Sequence, residues 1–193
     1  VAALAGHTVK LLDTRAGAAQ SAIDDIRVQL GKLAGKGKLT PELAAQAGAR
    51  LVCADQLAAL ADASLVIEAI VENLLAKQTL FGELESIVSD DCIMGSNTSS
   101  ISITAIGATL RRPHRLAGLH FFNPAPVMAL VEVIRGLATD QAVADTLFAT
   151  ALAWRKTPVH ARSTPGFIVN RVARPFYGEA LRLCVIGQQR GGA

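Results

Sequence analysis

Apolar residues in this chain fall into short runs broken by polar or turn-forming residues, and the spacing within each run separates strands from helices. Val1 to Ala5 is a short apolar, helix-favouring piece that Gly6 can end, and VKLLD, residues 9–13, reads as a buried strand. From Ala19, Ile23, Ile26, Leu30 and Leu33 recur at steps of three and four, which predicts an amphipathic helix. Gly31, Gly35 and Gly37 loosen it amid Lys32, Lys36 and Lys38. Thr40-Pro41-Glu42 opens a second helix, with Thr40 as N-cap and Pro41 in its first turn. Leu51-Val52 then predicts a short strand, Gln56 to Ala61 a short helix, Leu65 to Val71 a buried strand and Leu75 to Val88 a helix. Further strands are CIMG, RLAGLHFF, the apolar run around VEVI, and PVHA; a helix spans Asp140 to Lys156, with Val143, Leu147, Ala151 and Trp154 at helical spacing. This βαβ alternation predicts an α/β fold built on a parallel sheet, with no internal repeat.

Three polar clusters end apolar runs: Ser96-Asn97-Thr98-Ser99-Ser100, His120 to Asn123, and Glu132. In α/β proteins ligands gather where strands end, so a hydroxyl, an imidazole, an amide and a carboxylate converge on one crevice. Ser, Thr and Asn can each donate and accept hydrogen bonds, which suits hydroxyl and carbonyl ligands. The same letters also spell a helix N-cap for ISITAIGATL. His120 is flanked by Phe121 and Phe122, which can exclude water, whereas His7, His114 and His160 lack such company. Glu132 stands in an otherwise apolar strand, where an unpaired carboxylate is costly to bury, so it needs a partner such as a nearby His. The alternative is an edge-strand Glu facing solvent.

The pieces LVIEAIVEN, SNTSS, AGLHFFNPAPVM, LVEVI and STPGFIVNRV, in that order, resemble the NAD-dependent, L-specific 3-hydroxyacyl-CoA dehydrogenases, and the likeness covers Gly6 to about Leu183. The resemblance implies a Rossmann-like doubly wound sheet in residues 1–162 and the start of an all-α substrate and dimerisation domain in residues 163–193. Its first strand and Gly-x-Gly-x-x-Gly turn have no counterpart in these residues, so the chain reads as beginning inside the first helix and as cut at both ends. The tail CVIGQQRGGA is expected not to continue the long helix begun at FIVNRV. The family's roles, carried over residue by residue, make His120 the base and Glu132 its orienting partner, with Ser99 and Asn170 on the substrate oxygens. Glu72, Lys77, Ser99 and Asn123 fall on the cofactor side. Asp13, at the end of its strand, takes the adenosine ribose hydroxyls and so favours NAD over NADP; a plain strand-ending turn is the other reading, and Arg15 could neutralise a phosphate. Lys36 lies where the family reaches toward the CoA phosphates, or is simply a solvated helix end. Glu68, inside its strand, is read as structural.

Composition narrows the partners. With 51% hydrophobic and 18% charged residues in 193, the chain is globular, and its net charge of +3 is scattered without a basic run. Nucleic acid is therefore not expected, while an anionic small ligand such as an acyl-CoA fits the mild basic bias. Cys53, Cys92 and Cys184 show no metal or redox spacing, no metal site is expected, and no apolar run reaches membrane-spanning length. The chain reads as cytoplasmic, and an intact relative as a homodimer. The implied activity is oxidation of an L-3-hydroxyacyl-CoA by NAD; the alternative is an inactive remnant that binds a nucleotide or CoA weakly.

Overall fold

The computed structural model describes residues 1–190, with side chains through residue 184. Strands β1 (Val9–Leu11) and β2 (Leu51–Cys53) pair in parallel as a two-stranded sheet. Helices α1 (Ala18–Gly35) and α2 (Pro41–Ala49) cover it through Ile23, Leu30, Ala44 and Ala47. Thr40 caps α2 as expected, its hydroxyl accepting from the Leu43 amide at 3.2 Å. Val1–Gly6 forms turns that end at Gly6, whose φ is 103°.

The larger sheet holds β3 (Leu65–Glu68), β4 (Ile93–Ser96), β5 (Leu116–Phe121), β6 (Leu130–Arg135) and β7 (Thr157–Arg162), in that spatial order. Helices α3 (Leu74–Glu85) and α4 (Ile103–Gly107) pack on one face, where Phe81, Leu84, Met94, Ile106 and Leu116 form the core. Helix α5 (Gln141–Ala153) covers the other face, where Leu147 meets Leu119, Val131 and Val133. A sheet covered on both faces is what the continuous apolar strands demand.

Three expectations need correction, and one alternative reading falls away. The sheet is not wholly parallel: β5 and β6 run antiparallel, because residues 122–129 are too few to carry a crossover back to the starting edge. Strand β3 stops at Glu68, where the Glu68 carboxylate accepts the Ile70 amide at 2.6 Å and draws the chain out of the sheet, leaving Val71 70% exposed. The SNTSS cluster caps no helix; α4 is capped by Ser102, which accepts from the Ala105 amide. Finally, α6 runs from Val169 to Arg190, so the tail does continue the helix. Up to Arg190 the tail carries one glycine and no proline, and one Gly costs about 1 kcal/mol relative to Ala, too little to stop a helix already propagating.

Among the described residues no helix is long and apolar enough to cross a membrane, and no group of three His, Cys, Asp or Glu could hold a metal ion.

Candidate active site

The antiparallel turn from β5 to β6 sets His120 directly opposite Glu132. Glu132 lies on a central strand between β5 and β7 and is fully buried, so the edge-strand reading falls away. Its Oε2 stands 2.7 Å from His120 Nδ1. Its Oε1 accepts the amides of Ile168 and Val169 at 2.9 and 3.0 Å. A carboxylate in this setting only accepts, so Nδ1 carries the hydrogen and Nε2 is left as the nitrogen that can take a proton. The rings of Phe122 and Phe167 lie 4.5 and 5.9 Å from the imidazole, and His120 is 5% exposed.

A second polar network lies at the ends of β3 and β4. Glu68 is buried and accepts from Ser96 Oγ and Lys77 Nζ, each at 2.6 Å, which bears out its structural reading. Lys77 is fully buried, its ammonium held between Glu68 and Glu72, at 3.4 Å from the latter; this explains a cation in the first turn of α3, where the helix dipole disfavours one. Glu72 gathers the loop after β4: it accepts Thr98 Oγ1 at 2.6 Å and the amides of Ser99 and Ser100 at 3.0 and 3.1 Å. Partial burial alone would raise the Glu72 carboxyl, but these donors, the Ser100 hydroxyl and the Lys77 charge outweigh it and hold it at about 2.

Both networks meet the start of α6, where Asn170 Nδ2 donates to the Ser99 carbonyl at 3.2 Å. Ser99, Asn170, His120 and Glu132 are thus brought together by β4, β5, β6 and α6. Asn97 Oδ1 accepts the Phe121 amide at 2.8 Å and ties the ends of β4 and β5. Asn123 is exposed just beyond β5. Lys156, which no sequence signal marked out, is 8% exposed and donates from Nζ to the carbonyls of Ala125 and Met128, clamping the loop behind Asn123. Sequence reasoning also missed the Ile168 and Val169 amides, although the Thr164-Pro165-Gly166 break placed a helix start nearby.

Asp13 and Lys36 belong to the smaller sheet. Asp13 sits two residues past β1, exposed, with Arg15 across both its oxygens; hydrogen bonds from that guanidinium lower its carboxyl. Lys36 ends α1, exposed and without a salt bridge among the described residues. His7 and His160 lie against Trp154 and Phe148, as ordinary packing residues.

The donor set suits a dinucleotide lying across the strand ends. Glu72 is ionised yet partly exposed, and Ile70 and Val71 present apolar surface beside it, whereas Asp13 already accepts from Arg15 on both oxygens. Among the described residues no Gly-rich turn at a helix start is available for a pyrophosphate.

Residues 1–164 match the family described as 3-hydroxyacyl-CoA dehydrogenase, NAD binding domain. The chain is 52% identical over 182 residues to the 3-hydroxyadipyl-CoA dehydrogenase of Escherichia coli K12, covering 94% of this chain and 38% of that protein. It is 42% identical to a probable 3-hydroxybutyryl-CoA dehydrogenase of Bacillus subtilis, covering 93% of this chain and 63% of that one. The crystal structure of the 3-hydroxybutyryl-CoA dehydrogenase of Escherichia coli K12 superposes with a TM-score of 0.92 at 51% identity, over 94% of this chain and 38% of that one. The chain therefore spans between about two fifths and two thirds of these relatives. A Rossmann-like α/β fold, a buried His–Glu pair at strand ends and a match across 164 residues agree: the chain belongs to the 3-hydroxyacyl-CoA dehydrogenase family, with residues 1–164 corresponding to its NAD-binding domain.

Proposed function

We propose that this chain carries the proton-transfer site of an enzyme that reversibly oxidises (S)-3-hydroxyacyl-CoA to 3-oxoacyl-CoA. The observation that carries the reading is the buried His120–Glu132 pair, which leaves Nε2 as the one imidazole nitrogen open to a proton. Oxidation at C3 requires the hydroxyl proton to leave as a hydride does, and His120 Nε2 takes that proton. Glu132 keeps the ring in one tautomer and balances its positive charge. Ser99 and Asn170 hold the substrate oxygen, and Phe122 and Phe167 keep water off the imidazole. NAD, when bound, accepts the hydride; Glu72 and Asn123 are assigned to its nicotinamide side, with Lys77 acting through Glu72, and Asp13 to its adenosine ribose. Lys36 is assigned to the CoA phosphates, and α6 to contacts within a homodimer. A cytoplasmic setting suits the three free thiols.

In the full-length protein, His120→Gln is expected to lower turnover by about two to four orders of magnitude while NAD affinity stays near that of the parent. Near-normal turnover in that variant sinks the assignment. A second reading, a nucleotide- or CoA-binding chain without turnover, draws on the open edge of β3, which among the described residues pairs only with β4. Full-length protein that binds NAD but fails to reduce acetoacetyl-CoA would establish it.

A further inference from the structure

Between β7 and α6 the chain makes a turn unlike any other among the described residues. Gly166 has φ 75° and Phe167 φ 48°, two successive residues in the left-handed region, and Phe167 is a non-glycine residue with a bulky side chain. Such a conformation persists only where the surroundings over-determine it. Here the turn lies tight against the helix it precedes: a Cβ on Gly166 would meet the Arg171 nitrogen at 2.9 Å and the Asn170 carbonyl carbon at 3.2 Å. Phe167, 3% exposed, is thereby aimed inward, its ring 5.9 Å from that of His120. The next two amides, of Ile168 and Val169, are unpaired donors at the start of a long helix, and both go to Glu132 Oε1. One carboxylate from β6 thus caps α6 with one oxygen and holds the imidazole with the other.

We infer that the left-handed Gly166–Phe167 turn is a positioning device for the proton-transfer pair: it delivers two amides to Glu132 and a ring to His120, so that seating of α6 sets the orientation of the imidazole. Gly166 and Phe167 are positioning residues, not catalytic ones. Asn170, one residue beyond the capped amides, reaches the Ser99 carbonyl through the same seating. The inference rests on the proposed reaction for its kinetic consequence, but the geometry it asserts is independent of that reaction.

The test uses Gly166→Ala and Phe167→Leu in the full-length protein. Gly166→Ala forces a Cβ against backbone at a positive φ; it is expected to lower turnover about a hundredfold, as a misplacement of about 1 Å does, while KM for NAD and for the acyl-CoA stay within about threefold. Phe167→Leu keeps an apolar side chain, removes the ring that lies against His120 and should lower turnover about tenfold with the same pattern. If Gly166→Ala does not fold, Phe167→Leu decides alone. The second readout is the proton on His120 Nδ1, followed by magnetic resonance in protein with labelled histidine; its signal should shift or vanish in both variants while the amide spectrum of the sheet is kept. Turnover within about threefold of the parent with an unmoved Nδ1 signal overturns the inference, as does a fall in turnover matched by an equal loss of NAD affinity. A parent without turnover overturns the reaction instead, and the Nδ1 signal then decides this inference by itself.

Discussion

At the scale of single residues, the chemistry follows from how each charge is satisfied. Glu72 is the clearest case, because its donors hold its carboxyl at about 2 against an ordinary value of 4.5. A carboxyl lowered on folding contributes stability that is fully present above its unfolded value and is lost as pH falls through the folded one. Acid should therefore loosen the loop 97–100 between about pH 4.5 and 2, and Glu72→Gln should flatten the pH dependence of unfolding in that window. Equal slopes for parent and variant, measured by denaturant unfolding at several pH values, would refute this. His120 and Glu132 were legible because a carboxylate in the apolar run LVEVI must find a partner, and the turn NPAPVM brings one opposite it. The roles of Ser99 and Asn170 came from resemblance, and geometry then put them in contact. Lys156 was illegible, since its partners are backbone carbonyls and a carbonyl has no letter in a sequence.

At the scale of elements, periodicity placed nearly every strand and helix but misjudged where some stop. The apolar letters of Ile70 and Val71 extended β3 on paper, whereas the carboxylate of Glu68 ends it by taking the Ile70 amide. The antiparallel turn of β6 was open to a length argument, since residues 122–129 cannot recross the sheet. That same connection carries Asn123, and its shape depends on Lys156. Burial lowers the Lys156 ammonium, and no carboxylate among the described residues offsets that cost; two carbonyls do so in part. Lys156→Met keeps the stem and removes the clamp. The expected outcome is faster amide exchange across residues 123–129, with β5 and β6 unchanged and the KM for NAD raised about three- to tenfold. Unaltered exchange in that loop would show that the clamp is idle.

At the scale of the whole molecule, the structure is two sheets without a shared ladder. Among the described residues strand β1 pairs only with β2 and β3 only with β4, so each has an edge with no ladder partner there. The sheets are joined instead by side chains: Lys10 Nζ donates to the Ala59 carbonyl at 2.8 Å and pairs with Asp62, and Leu12 and Ala54 join the core under β3. Apolar open edges invite foreign pairing. Helix α6 adds a second exposed apolar surface, with Val172, Phe176 and Leu183 at steps of four and seven, a spacing that keeps them on one side. Burying each of these is worth about 1.5–3 kcal/mol, and that sum is comparable with the 5–15 kcal/mol by which a domain is stable at all. A preparation of these 193 residues alone has every reason to hide both surfaces against further copies. It should elute as soluble aggregate or precipitate, bind NAD weakly if at all, and reduce no acetoacetyl-CoA, although His120 and Glu132 are in register. Size-exclusion chromatography with light scattering, followed by calorimetric titration with NAD, makes the measurement. A stable monomer with micromolar NAD affinity would mean that the open edges of β1 and β3 are tolerated, and that the side-chain contacts of Lys10, Leu12 and Ala54 suffice to hold the two sheets in working order.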